Sequence, residues 1–286
     1  LASLYPNIMT QWNMSPETIV EDERANIFIP EALNLTEKVN EDYILAANGT
    51  YFRKDVKGVI PRIITDIFND RKQFKNKMLA AKQAKENVDK NDLKAIKDAE
   101  RDVSIFNNQQ MARKILMNSL YGAMGNAHFR FFDPRIAEGI TATGQTVIRW
   151  GERAVNEFTN KICGTEDKDY VIAIDTDSLY IRFADIVKKF VPDESIDTIS
   201  KICAEQYEPM LAREYEKLRE IFNCEEGRME MDREVIADRG IWTAKKRYIL
   251  RVHDNEGVRY PEPTLKVQGI EAVRSSTPAV CRGALK

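Results

Sequence analysis

The 286-residue sequence predicts an α+β fold. Three observations carry that prediction. Apolar residues recur at helical spacing over four long stretches, roughly residues 60–87, 93–120, 136–162 and 196–222. Short β-branched and aromatic runs bounded by turn residues lie before, between and after them. The two kinds of element are interspersed without a strict strand–helix–strand rhythm, which favours α+β over a doubly wound sheet. Apolar residues make up 43% and charged residues 31%, so a sizeable core can form. That balance excludes a disordered tail, a collagen or a small disulfide scaffold. The length suits about two domains of roughly 150 residues each.

Residues 1–57 read as irregular, with turn signals at Asn13-Met14-Ser15-Pro16 and Asn48-Gly49. Short strands are expected at 18–20, 43–45 and 51–52. From Pro61 the pattern turns helical through Ile60, Ile63, Ile64, Ile67, Phe68 and Phe74, reaching about Asn87. Pro61 suits a first helical turn. Asp89-Lys90-Asn91-Asp92 reads as a turn, followed by a second long helix from Leu93 to Leu120 that Tyr121-Gly122 should end. The two would make an antiparallel hairpin. A third helix is expected over 136–162, with Gly164 as its stop. Then come an apolar, buried strand at 170–174, a tight acidic turn and a strand at 178–183. An amphipathic helix over 196–222 precedes strands at 229–237, 246–252, 259–260 and 266–267.

Charge is segregated along the chain although the net value is only −2. Residues 71–97 carry nine bases against three acids, 205–238 carry eleven acids against five bases, and 245–274 carry seven bases against four acids. Two patches would therefore attract polyanions. The four cysteines and two histidines form no CxxC or Cys/His cluster, so reduced cytosolic thiols are expected and zinc is not. No run of about 18 apolar residues suggests a membrane span, and no basic-then-apolar leader suggests secretion. The opening LASLYPNIM lacks a methionine and the sequence closes within a helical-looking run after Pro278, so a piece of a longer protein is expected.

Chemistry concentrates in a few segments. In VIAIDTDSLYIRF, Asp175 and Asp177 flank Thr176 at a hairpin tip. If strand alternation persists into the turn, both acids face one hard cation. Magnesium is usually held by one or two carboxylates plus substrate phosphates. The bland alternative is an ordinary acidic turn. In ARKILMNSLYGAMGN, Lys114, Asn118 and Tyr121 fall at i, i+4 and i+7 on one helical stripe, able to meet a phosphate, a sugar or base, and the next base pair. A snorkelling lysine beside a core tyrosine is the competing reading. Arg71 and Lys75, at i and i+4, present two cations in a phosphate-gripping geometry or a solvated basic face. Ser3-Leu4-Tyr5-Pro6-Asn7 alone says little beyond a turn at the proline. Residues 240–248 and 266–278 are basic stretches with aromatics or hydroxyls interleaved, suited to a nucleic-acid backbone or to solvent.

Together these segments resemble family B DNA polymerases, closest to the replicative enzymes of T-even-like bacteriophages. SLYPNI resembles motif A, KILMNSLYG motif B and DTDS motif C; AKKRY and MDRE also have counterparts, all in the family's order. The resemblance implies a palm with an antiparallel sheet and packed helices, at 1–58 and 125–286, and fingers of two antiparallel helices at 59–124. It implies primer–template DNA and a deoxynucleoside triphosphate as partners, two Mg2+ ions during catalysis, and a sliding clamp and the exonuclease and thumb parts elsewhere. Asp177 would ligate metal with the Leu1 carbonyl, and Asp175 would be a near neighbour. Ser3, the Leu4 backbone, Arg71, Lys75 and Lys114 would hold the triphosphate, with Asn118 supporting that face. Tyr5 would pack under the sugar and exclude a 2′-hydroxyl. Tyr121 and Gly122 would lie under the nascent base pair, and Thr176, Lys246, Tyr248 and Lys266 would meet DNA. If of phage origin, the protein would act in the cytoplasm of the infected bacterium.

The sequence departs from the family pattern in places. The family's motif A begins with an aspartate immediately before the leucine that is Leu1 here, so the other principal metal ligand is expected outside this sequence. Ala173 and Ile174 stand where motif C carries tyrosine and glycine, Asn7 where serine is commoner, and the fingers insert is short. Two other functions compete: a catalytically silent nucleotide- or DNA-binding fragment, and a haloacid-dehalogenase-type phosphatase with Asp175 as nucleophile. The phosphatase pattern expects Thr or Val where this chain has Leu179.

Overall fold

The computed structural model describes residues 1, 3–88, 92–191 and 195–285. The fold is α+β, with helices and three antiparallel sheets. In chain order come α1 (Leu4–Gln11), β1 (Ile19–Arg24), α2 (Ile29–Ala32), β2 (Ile44–Leu45), β3 (Thr50–Phe52), α3 (Val59–Glu86), α4 (Leu93–Met124) and α5 (Pro134–Cys163). The acidic hairpin β4 (Val171–Asp175) and β5 (Ser178–Ile181) follows. Next are α6 (Ala184–Phe190), α7 (Ile196–Ile202), a π-helical turn at Cys203–Tyr207 and α8 (Glu208–Ile221). A meander of β6 (Val235–Ala244), β7 (Arg247–Asn255) and β8 (Val258–Gln268) precedes α9 (Ala279–Ala284). Contacts divide the chain into two compact units: residues 1–182 with 209–231, and 183–208 with 232–286.

The first unit has its core where α1 and α5 meet. Every residue of α1 except Tyr5 is buried, as are Trp12 and Met14 just beyond it. The Trp12 indole donates to the Leu45 carbonyl at 2.9 Å, which fixes α1 against the sheet ordered β1-β3-β2. Helix α5 buries Ile136, Ile140, Val147, Ile148 and Val155 at helical spacing. Asp133 caps its start by accepting from the Arg135 amide, and Gly164, at φ 72°, ends it. Arg135 reaches Glu21 at 2.6 Å and Asp133 at 2.7 Å, pinning the start of α5 to β1.

Helices α3 and α4 run antiparallel. Arg113 meets Asp70 at 3.3 Å and Lys85 meets Glu100 at 2.9 Å, so positions further along one helix pair with positions earlier on the other. Asp92 caps α4 by accepting from the Lys94 and Ala95 amides. The expected turn at 89–92 otherwise lies outside the described residues.

Several expectations change. The opening is a helix rather than an irregular segment, because Pro6 stands in the first turn, where a missing N–H costs nothing. Tyr121-Gly122 does not end the second long helix; the helix continues to Met124, since a glycine inside a helix costs only about 1 kcal/mol against alanine and forces no break. The strand after residue 170 is open on one face: Ile172 is 50% and Ile174 38% exposed, while Val171, on the opposite face, is buried. The stretch 196–222 is interrupted by the π-helical turn, and α6 precedes it unforeseen. Residues 229–234 are not strand, and the two short runs at 259–260 and 266–267 belong to one strand, β8. Its Pro261 and Pro263 are tolerated because β8 is an edge.

Candidate active site

The acidic hairpin closes with Asp175 opposite Ser178. The chain reverses at Thr176, whose φ of 54° lies in the left-handed region. A β-branched residue is a rare occupant there. The Asp177 amide donates back to the Asp175 carbonyl at 2.6 Å, a three-residue turn of the strained kind. Alternation along the strand therefore does not run through the turn. The Thr176 hydroxyl donates to Asp175 at 3.2 Å and the Ser178 hydroxyl to Asp177 at 3.5 Å. The Leu1 nitrogen donates to the backbone carbonyl of Asp177, which joins the start of the sequence to the hairpin tip.

Tyr5 stands in the first turn of α1. Its ring lies 4.6 Å from that of Tyr121, with the planes tilted by 43°. On another side it rests against Gly144 of α5, where an added Cβ would come within 3.2 Å of Cε1. A methyl at 144 would require the ring to shift by a few tenths of an ångström. Burial holds the Tyr5 phenol above its ordinary pKa, and the neighbouring Tyr121 and Asp177 add to the effect. The phenol is therefore uncharged at neutral pH.

Ser3 precedes α1 in a left-handed conformation (φ 51°, ψ 51°), and its hydroxyl accepts from Arg71 Nη1 at 2.6 Å. The Leu4 and Tyr5 amides lie in the first helical turn, where a helix supplies no acceptor of its own. A half-buried guanidinium, a hydroxyl and the start of a helix thus converge, a combination that favours anions. Lys75 follows Arg71 by one turn of α3 and is half-buried. Lys114 and Asn118 are exposed on α4. Because Arg113 pairs with Asp70, Lys114 stands at the level of Arg71. Arg113 itself stacks over Phe74 at 4.3 Å. Gly122 is exposed on α4, and a Cβ there would meet nothing within 4 Å.

Three contacts within the first unit thus join predicted residues in pairs, Leu1 with Asp177, Ser3 with Arg71 and Tyr5 with Tyr121. Lys246, Tyr248 and Lys266 belong to the second unit. Lys246 occupies the β6–β7 turn at φ 63°. Tyr248 is buried and its hydroxyl donates to Gln268 at 2.6 Å. Lys266 stands opposite Leu250 on β8.

Sequence reading passed over the wall that α5 adds. A cleft of about 440 Å³ is bounded by Leu4, Tyr5, Gln145, Arg149, Ile174 and Thr176, among others. The signal was there, in polar residues spaced by four within an apolar helical pattern, but it also fits a solvated face. Among the described residues no three His, Cys, Asp or Glu side chains gather to hold a metal ion, and no helix is long and apolar enough to cross a membrane.

A sequence profile of DNA polymerase family B matches residues 1–283. The DNA-directed DNA polymerase of Escherichia phage RB69 is 36% identical over the whole of this chain and 37% of its own length. That of Enterobacteria phage T4 is 34% identical over the same shares. The DNA polymerase delta catalytic subunit of Caenorhabditis elegans is 28% identical over 76% of this chain and 18% of its own length. The chain therefore spans little more than a third of the phage relatives. A match that runs from α1 through both long helices and the acidic hairpin to the final meander is not the borrowing of one motif: this chain belongs to DNA polymerase family B.

Proposed function

We propose that this chain is the palm and fingers core of a template-directed DNA polymerase, which joins a deoxynucleotide to a primer 3′-hydroxyl. Residues 1–58 and 125–286 form the palm in this reading, and α3 with α4 forms the fingers. The observation that carries it is that residues 1–5 meet three distant segments: Leu1 contacts Asp177, Ser3 contacts Arg71 and Tyr5 contacts Tyr121.

The donor set fits magnesium. The two carboxylates at the hairpin tip, Asp175 and Asp177, suit an ion that completes its shell with substrate phosphates and water. Asp175 and Asp177 would hold it. The residue before Leu1 in a longer polypeptide would emerge beside Asp177, because the Leu1 nitrogen donates to the Asp177 carbonyl. Family resemblance puts an aspartate there. A pair of such ions, when bound, stabilises the attacking and leaving oxygens of an in-line displacement.

The remaining work falls to the chain's own groups. Arg71, Lys75 and Lys114 grip the triphosphate, with Ser3 and the first amides of α1 below it. Tyr5 floors the sugar, and its neutral ring leaves no room for a 2′-hydroxyl. Tyr121 and Gly122 support the nascent pair, with Asn118 beside them. Thr176 meets the primer end, and Lys246, Tyr248 and Lys266 follow the duplex. Closure of α3 and α4 on the correct nucleotide is the induced-fit step.

Primer extension by the full polypeptide carrying this chain tests the reading. Asp177→Ala should lower single-turnover extension by about a thousandfold or more, since one ligand of the metal pair is lost. Undiminished extension would overturn the assignment.

A further inference from the structure

Helix α8 buries Leu211, Tyr215 and Leu218 at i, i+4 and i+7, so the Tyr215 ring is carried into the core on an apolar stripe. Its hydroxyl is buried and, among the described residues, has no hydrogen-bond partner. Leaving such a group unpaired costs stability, and native folds seldom keep one without a reason. The hydroxyl lies against Gly151 of α5, which is itself buried. A Cβ at 151 would overlap that hydroxyl and would lie 3.3 Å from Tyr215 Cζ and 3.5 Å from Leu179 Cδ1. The missing side chain thus leaves a notch in α5 that receives the phenol of α8 and the leucine of β5 together. Leu179 follows Asp177 by two residues and stands opposite Ile174. The base of the same hairpin is fixed separately, since the Asn156 side chain of α5 accepts from the Tyr170 and Val171 amides at 2.9 and 3.1 Å. The notch is therefore a second point at which α5 meets the hairpin, nearer its acidic tip.

We propose that Tyr215 is a positioning residue for the polymerase reaction: its hydroxyl fills the Gly151 notch, so that Leu179 seats at one height on α5 and the tip bearing Asp175 and Asp177 is held in place. The inference rests on the polymerase reading and adds to it a residue outside every segment that suggested the family. Burial holds the Tyr215 phenol well above its ordinary pKa. The hydroxyl is therefore neutral, and its contribution is shape rather than charge or proton transfer. A phenylalanine ring would leave the notch short of one oxygen atom, and Leu179 would settle into the space. A methyl at 151 beside the existing hydroxyl would drive the two elements apart. A methyl without the hydroxyl would fill the notch again, because the two groups compete for the same space and differ little in volume.

Single-turnover primer extension by the full polypeptide, read as the maximal rate and as the deoxynucleotide concentration at half that rate, tests the notch alongside thermal melting. Tyr215→Phe should lower the maximal rate about threefold and leave half-saturation where it was, because displaced acids act on the chemical step. It should melt no lower than the unmodified polypeptide, since the hydroxyl removed has no partner to lose. Gly151→Ala should lower the rate about tenfold. Gly151→Ala combined with Tyr215→Phe should return the rate to within about twofold of the original, a coupling that independent sites do not show. Losses that simply multiply in the double variant would overturn the inference, as would a full rate in Tyr215→Phe. A Tyr215→Phe variant that loses rate and melting temperature together would also overturn it, since ordinary packing explains that pattern. Where Gly151→Ala alone does not fold, Tyr215→Phe decides, through a reduced rate at an undiminished melting temperature. If the unmodified polypeptide extends primers and the two positions show no coupling, this inference alone falls. If the unmodified polypeptide extends no primer, the polymerase reading falls and takes the inference with it.

Discussion

Among the hairpin turns that reverse direction over two residues, two carry acids and use them differently. Between β7 and β8, Glu256 and Gly257 take φ values of 52° and 83°, the pattern that matches the twist of paired strands. The nearby acid, Asp254, is only 2% exposed, accepts from the Gly257 amide at 3.0 Å and is held by Arg233 and Arg259. That carboxylate serves the fold. Between β4 and β5, the left-handed position falls on Thr176, where glycine or asparagine would sit without strain. Its two acids accept from hydroxyls of the turn itself. One turn is arranged for stability and the other holds strain and negative charge at the edge of a cleft, as functional turns do.

Substitution at either turn separates stability from activity. Thr176→Asn places a residue tolerant of the left-handed region at the acidic tip. It should raise unfolding stability by about 1 kcal/mol and lower primer extension by about tenfold, because Asp175 loses the hydrogen bond from the Thr176 hydroxyl. Chemical denaturation and single-turnover kinetics read the two effects, and a variant no more stable than the original would remove the strain argument. Gly257→Ala should do the reverse. A Cβ there meets nothing within 4 Å, so the cost is conformational alone, about 1–2 kcal/mol, and extension at low temperature should be unchanged. A loss of activity without loss of stability would show that the second turn is not merely structural.

A smaller effect sharpens the view that acids outside the site serve the fold. Burial alone would raise the pKa of Asp133, yet hydrogen bonds from Arg135 and the first amides of α5 hold it below the usual carboxylate range. Its stabilisation is therefore present above the ordinary carboxylate pKa and lost as pH falls through the depressed folded value. Asp133→Asn keeps the helix cap and removes the charge. It should cost less than about 1 kcal/mol at neutral pH, and the gap in Tm should close in acid. A gap that persists below the folded pKa would show that the charge is not its cause.

Much of this was legible in the sequence, for physical reasons that differ by element. The long helices announce themselves by apolar spacing, and α5 also by Asp133 at its start and Gly164 at its end. The acidic hairpin shows as an apolar run that stops at two aspartates. α1 was hidden because eight residues give little periodicity and Pro6 reads as a turn, although a first helical turn accepts proline. β8 was hidden because two prolines divide its pattern, although an edge strand has no ladder partner on that side. At the site, residue types suggested the acids and the cations. The contacts among Leu1, Tyr5, Tyr121 and Asp177 depend on long-range packing that no local pattern encodes. The α5 wall was missed because a polar stripe looks the same in sequence whether it faces solvent or a cleft.

In the proposed function the opening turn of α1 is the floor between the acidic hairpin and the α3–α4 pair. Sugar selectivity in the full polypeptide tests it most directly, through kcat/KM for a deoxynucleotide against the matching ribonucleotide. Tyr5→Ala should collapse that ratio by roughly a hundredfold, mainly through faster ribonucleotide insertion, since a clash and not an attraction is removed. A ratio that stays where it was, with extension intact, would mean that Tyr5 does not lie under the sugar and that the site has been built around the wrong cleft.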